Sequence, residues 1–117
     1  MHEFGLCEGV VEAIQRRAAG RRVARARVRL GALHRVVRAA FEQAFALAAA
    51  GTEAESASVE LMVIPVRANC LTCNARLESD DAIAVCPKCG GLDLDLTGGE
   101  EIILESIEYA PAAGEPV

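Results

Sequence analysis

Cys70-Leu71-Thr72-Cys73 and Cys86-Pro87-Lys88-Cys89-Gly90-Gly91 are two C-x2-C pairs separated by the segment Asn74 to Val85. A two-residue spacer lets a tight turn aim both sulfurs at one point. Two such knuckles close a tetrahedron, the arrangement that Zn2+ prefers with thiolates. Gly90 and Gly91 let the backbone turn closely around the second knuckle. Four thiolates leave no open coordination position for a substrate, so the expected zinc is structural rather than catalytic. Two disulfides are the main alternative, and a reducing cytosol disfavours them. Iron in a rubredoxin-like site is the other, and it would usually come with packed aromatics, which this segment lacks.

Outward from the knuckles, residues 67–99 show no regular apolar periodicity and few large apolar side chains. Such a segment cannot fold on a hydrophobic core alone, so metal must supply part of its folding energy. The flanks are different. Val59 to Val66 reads as a strand buried on both faces, with Pro65 placing its end at an edge or bulge. Ile102 to Tyr109 reads as a further strand, and residues 111–117 as a disordered tail.

Further upstream, residues 4–18 read as a helix with Leu6, Val10, Ala13 and Ile14 on its packed side and Gly20 as its stop. Cys7 flanks that apolar side and reads as a buried free cysteine. Residues 22–30 switch to a period of two. Ala24, Ala26, Val28 and Leu30 alternate with Arg25, Arg27 and Arg29, giving a half-buried strand with a basic outer face that Gly31 ends. A second helix is predicted from Leu33 or His34 to Ala50, burying Val37, Phe41, Ala44, Phe45 and Ala48. The fold class is therefore α+β: two helices on a small three-stranded sheet, with an inserted four-cysteine zinc-ribbon module. The predicted domains are 1–66 plus 100–110, and 67–99.

Composition narrows the function classes. Apolar residues are 52% of the chain but aromatics only 3%, so the core must be mainly aliphatic. No run approaches the ~20 apolar residues of a membrane span, and no secretory signal is visible, so the chain reads as soluble and cytoplasmic. Residues 1–50 hold nine Arg against four Glu, whereas 51–117 hold three Lys or Arg against thirteen Asp or Glu. The halves either meet different partners or form two solvated faces of one fold. A net charge of -5 and the scarcity of stacking aromatics argue against a general nucleic-acid binder.

The chain opens Met1-His2-Glu3. The terminal amine and a deprotonated His2 amide nitrogen form a five-membered chelate, and Nδ1 of His2 adds a six-membered ring. The amide nitrogen or carboxylate of Glu3 can supply a fourth donor. Planar N/O sets select Ni(II) or Cu(II) over tetrahedral Zn(II). Met1 should persist, because removal of an initiator Met generally requires a small second residue. Taken alone, a histidine near a terminus is usually just solvated, and His34 reads as a surface or capping residue.

Several features meet in this chain. Met1-His2-Glu3-Phe4-Gly5-Leu6-Cys7 opens directly into a helix. A strand ends in Gly31 ahead of a helix carrying Ala40-Phe41-Glu42-Gln43-Ala44-Phe45. Two cysteine knuckles follow, and then Gly98-Gly99-Glu100-Glu101-Ile102. Together they resemble the HypA/HybF family of nickel metallochaperones for NiFe hydrogenase maturation, over residues 1–110. The resemblance implies a nickel-delivery protein rather than an enzyme. It implies nickel (Ni2+, the transferred cargo) at Met1, His2 and Glu3, and structural zinc (Zn2+) at Cys70, Cys73, Cys86 and Cys89. The implied partners are the nickel-binding GTPase of hydrogenase maturation and then the hydrogenase large subunit, with urease maturation proteins in some organisms. The chain would act as a monomer or homodimer. Some family members carry a carboxylate between the strand-ending Gly and the second helix. Here Ala32 to Arg38 holds no acid, and His34 is the residue there that could substitute. A zinc-ribbon nucleic-acid or transcription module is the alternative function. Against it, Asn74 to Val85 holds one base, Arg76, against Glu78, Asp80 and Asp81, whereas a phosphate-binding ribbon should be basic.

Overall fold

The computed structural model describes residues 2–111. Met1 and most of the segment expected to be a tail, 112–117, lie outside the described residues. The chain is α+β. Its elements are α1 (His2–Ala18), β1 (Val23–Gly31), a 3-10 turn (Ala32–His34), α2 (Arg38–Ala49), β2 (Ser58–Ile64), β3 (Val66–Cys70), β4 (Arg76–Ser79), β5 (Leu94–Thr97) and β6 (Ile102–Tyr109). One sheet has the order β2-β1-β6 and a second the order β4-β3-β5. Two compact units result. One contains α1 through Val28, Val36–Leu61 and the chain from Leu104. The other contains Arg29–Arg35 and Met62–Ile103.

The first unit is built on helix pairing. Cys7, Val10, Val11, Ile14 and Ala18 of α1 and Phe41, Ala44, Phe45 and Ala49 of α2 are buried, with Val23, Ala26, Val28 and Leu61 from the strands. Phe41 and Phe45 are the largest fully buried side chains. Removing either from water contributes on the order of 2–3 kcal/mol, so a chain with three Phe and no Trp spends two of its aromatics here. α1 stops where Ala19 and Gly20 take positive φ (51° and 89°) and Arg21 N–H donates to the Ala18 carbonyl at 3.1 Å.

The second helix starts later than its apolar pattern predicts. Arg35 adopts φ +51° and Val37 is extended (φ -86°, ψ 123°), which separates the 3-10 turn from α2. Val37 precedes the first helical residue and is 62% exposed rather than buried, and Ala49 rather than Ala48 completes the buried stripe. The predicted strand Val59 to Val66 is β2, which stops at Ile64, and a further strand, β3, opens at Val66. Pro65 has no N–H to give a ladder, and the chain passes there from one sheet to the other. β2 is an edge strand, so Leu61 alone of its side chains is fully buried, and Met62 and Val63 are about two-fifths exposed.

β1 is the central strand of its sheet, and its basic face is matched from both sides. Arg25 pairs with Glu108 on β6 (3.0 Å), and Arg27 with Glu60 on β2 (3.4 Å) and Glu105 on β6 (3.6 Å). The opposite charges of the two chain halves thus become cross-strand neighbours. These pairs are half-exposed, so each is worth less than about 1 kcal/mol. Ala24, expected on the buried side, is exposed beside Arg25, and the buried alternation begins at Ala26.

The second unit is closed by a clasp between the end of β1 and the Gly98-Gly99-Glu100-Glu101 segment. Gly31 N–H donates to the Glu101 carbonyl (2.7 Å), Leu33 N–H to the Gly99 carbonyl (2.9 Å), and His34 Nε2 lies 2.9 Å from the Glu100 carbonyl. The Glu101 carboxylate accepts the Gly99 N–H at 2.7 Å. Gly99 sits at φ +88° against Val66 and Leu33. A β-carbon on Gly31 would overlap the Gly99 carbonyl carbon and oxygen, which are backbone atoms that cannot move aside independently. Gly31→Ala should therefore destabilise the metal-loaded protein by about 2 kcal/mol or more. An unchanged urea midpoint would contradict this packing.

Candidate metal centre

The two knuckles have the same backbone construction. In the first, Cys70 N–H donates to the Ala75 carbonyl (2.9 Å) and Asn74 N–H returns to the Cys70 carbonyl (2.8 Å). In the second, Cys86 N–H donates to the Gly91 carbonyl (2.9 Å) and Gly90 N–H returns to the Cys86 carbonyl (2.8 Å). The residue after each second cysteine is left-handed, Asn74 at φ +60° and Gly90 at φ +75°. Glycine takes that conformation freely, and asparagine tolerates it better than most residues. Asn74 was not singled out by the sequence reading. Its signal is its position, equivalent to Gly90.

β3 delivers Cys70 at its end, with β4 and β5 antiparallel on either side. The register places Ala68 between Leu77 and Leu96, a short apolar row under the first knuckle. Leu71 N–H donates to the Asp93 carbonyl at 2.9 Å, tying the first knuckle to the chain that follows the second. A β-carbon at Gly91 would sit tightly, 3.2 Å from both Cys89 Sγ and Thr72 Oγ1, so a larger residue there would crowd the second knuckle.

All four sulfurs lie within 4.8 Å of one another. Cys70 and Cys89 Sγ are 3.6 Å apart, and Cys73 and Cys86 Sγ are 3.8 Å apart. A tetrahedron with metal–sulfur bonds of about 2.3 Å has edges of about 3.8 Å, whereas a disulfide would bring two sulfurs to about 2.05 Å. All five cysteines are free thiols. Cys70 and Cys86 are buried, and Cys73 and Cys89 are exposed. Among the described residues, these four are the group of His, Cys, Asp or Glu side chains spaced to hold one ion.

The electrostatics show why such a cluster calls for a cation. The backbone N–H of Cys73 points at Cys70 Sγ (3.5 Å) and, against the opposing effect of burial, brings that thiol down to about 6. The Cys89 N–H lowers Cys86 in the same way. The Gly91 N–H, 3.3 Å from Cys89 Sγ, also pulls that thiol down, but hydrogen bonds to the neighbouring thiols together with burial outweigh it and push Cys89 up to about 12. Four like charges at this spacing cannot all form without a cation between them.

The remaining candidates lie elsewhere. Cys7 is fully buried, donates to the Phe41 carbonyl at 3.4 Å and is raised to about 11 by burial, so it is core. His2 is the exposed first residue of α1. Its backbone N–H is among the first four of the helix, which no helical carbonyl claims. The Glu3 carboxyl is lowered from its ordinary value, chiefly by its own backbone N–H, which outweighs desolvation, and further by that of Val37 and by His2. His34 belongs to the clasp, bonded to Glu100.

Cys73→Ala or Cys89→Ala should abolish retention of one thiophilic divalent ion per chain and remove the amide dispersion of residues 67–99, whereas Cys7→Ala keeps the ion. Full metal retention by both knuckle variants would contradict the cluster.

Comparison with known proteins bears on the whole chain. The family described as hydrogenase/urease nickel incorporation, metallochaperone, HypA, matches residues 1–109. The hydrogenase maturation factor HypA of Paracoccus denitrificans is 39% identical over 111 residues, covering 92% of this chain and 98% of that relative. The hydrogenase maturation factor HypA 2 of Bradyrhizobium diazoefficiens is 36% identical with the same coverage. The solution structure of the Ni metallochaperone HypA from Helicobacter pylori superposes with a TM-score of 0.63 at 22% identity, covering 93% of this chain and 97% of that one, a likeness of fold.

Proposed function

The chain belongs to the HypA family, the metallochaperones of hydrogenase and urease nickel incorporation, and we propose that it carries Ni(II) on Met1, His2 and Glu3 and hands it to a NiFe hydrogenase under maturation. The observation that carries this reading is the family match over residues 1–109, which takes in both the Met1-His2-Glu3 opening and the four-cysteine cluster. The chain is a carrier rather than a catalyst. The nickel-binding part comprises residues 1–66 with 100–110, and the ribbon 67–99. Zinc on Cys70, Cys73, Cys86 and Cys89 is structural, because the sulfur spacing fits a closed tetrahedral site with no position left for a substrate. When bound, zinc neutralises the thiolates and holds the two knuckles together. Free thiols and the absence, among the described residues, of a helix long and apolar enough to cross a membrane suit work in the cytoplasm.

The nickel chemistry is local to the first three residues. His2 is solvent-exposed, so Ni(II) reaches its ring without opening the core. The His2 amide lies in the first turn of α1, where no carbonyl four residues earlier belongs to the helix, so its deprotonation breaks no i to i−4 helical bond. The Glu3 carboxylate, held in its charged form, completes the donor set. A site with few protein donors and one open side releases its ion by ligand exchange. The accepting groups would belong to the nickel-binding GTPase and then to the hydrogenase large subunit. Arg25 and Arg27 are matched by acids on both neighbouring strands, which fits a protein-binding carrier better than a phosphate-binding module.

Calorimetry with Ni(II) on untagged protein, on a form extended ahead of Met1, and on His2→Ala tests the site. We expect the extended form and His2→Ala to lose nickel while keeping one zinc and the fold. Unchanged nickel affinity in the extended form would eliminate the amine chelate, and unchanged affinity in His2→Ala would eliminate the site.

A further inference from the structure

The segment between the knuckles leaves a trough beside β4. Leu77, Glu78 and Ser79 of β4 line it on one side and Ile83, Val85 and Pro87 of the following segment on the other, around a volume of about 330 Å3. Val85 is 48% exposed, and Leu77 and Ile83 are partly so.

Two further observations bear on what occupies it. First, β4 is an edge of its sheet. Among the described residues, no backbone hydrogen bond joins β4 to the segment Ala82 to Pro87. One row of β4 peptide groups is therefore open to another strand. Second, the rim is acidic. Glu78 is matched by Arg67 at 3.6 Å, but Asp80 and Asp81 form no ion pair with any described residue, and both are exposed.

We propose that β4 and this trough bind an extended segment of a partner protein in which apolar residues alternate with Lys or Arg, added to β4 as a fourth strand. The period of two in a strand sends alternate side chains to opposite faces. Apolar residues would meet Leu77, Ile83, Val85 and Pro87 in the trough, and basic ones would reach Glu78 beside the strand and Asp80 and Asp81 at its end. Main-chain bonds supply affinity, and the pocket and charges supply selection. The acidic rim repels nucleic acid. A second copy of this chain cannot serve as the occupant through its own alternating segment, because β1 is already paired on both edges. This inference stands apart from the nickel reading.

The test uses full-length, zinc-loaded protein and a blocked peptide of sequence Lys-Val-Arg-Val-Lys-Val. Binding is followed by amide shifts and calorimetry. Shifts should centre on Arg76 to Ser79 and Ile83 to Val85. Asp80→Asn with Asp81→Asn should weaken binding about tenfold, as expected for two exposed charges at a rim, and Val85→Ser should weaken it further, with zinc content unchanged in each. Shifts centred elsewhere would overturn the proposal. So would equal affinity in the Asn variant, or equal binding of an all-lysine peptide, which would reduce the effect to charge alone. Self-association abolished by the same substitutions would reassign the trough to a second copy.

Discussion

Four thiols held within 4.8 Å of one another are the constraint on which the cysteine unit depends. Its buried apolar side chains are few: Leu30, Ala32, Val66, Ala68, Cys70 and Cys86. Two of those are the sulfurs themselves, so the centre of the unit is the metal site rather than an apolar core. The backbone prepares this centre by aiming N–H groups at Cys70 and Cys89, which favours thiolate. The same closeness raises Cys89, because neighbouring thiols compete for one proton. A divalent cation would resolve that conflict, which would couple metal binding to the folding of this unit.

The clasp and the helical unit rest on different physics. Gly31 and Gly99 meet backbone to backbone, an approach that steric exclusion permits only without side chains. It brings the return strand from the ribbon beside the turn that leads to α2. α1 and α2 instead depend on burial of Phe41, Phe45, Ile14 and a run of small residues. Loss of metal should therefore melt one unit while leaving most of the other's stabilising contacts in place.

Much of this was legible in the sequence. The knuckle spacing, the helix α1, the arginine alternation of β1 and the return strand β6 each follow from a period or a motif, although the buried face of α1 is centred on Cys7, Val10, Val11, Ile14 and Ala18, with Leu6 and Ala13 only partly buried, and Ala24 of β1 is exposed. What misled was continuity. An unbroken apolar pattern concealed the left-handed Arg35 and the extended Val37, because periodicity carries no information about a single backbone reversal. It also carried β2 past Pro65 to Val66, the first residue of an unexpected β3. β4 and β5 were invisible, since strands of four residues paired to a metal-held neighbour need little apolar periodicity. At the site, the thiol cluster was readable from spacing alone, whereas Asn74 became recognisable only once the two knuckles could be compared.

The functional account separates two metals by donor chemistry: soft sulfur for the ion that stays, nitrogen and oxygen for the ion that leaves. X-ray absorption at both metal edges, on untagged protein loaded with one zinc and one nickel, tests that separation directly. The account predicts a sulfur shell at about 2.3 Å around zinc and a planar shell of light atoms, without sulfur, around nickel. Sulfur in the nickel shell, or nitrogen and oxygen replacing sulfur around zinc, would contradict it.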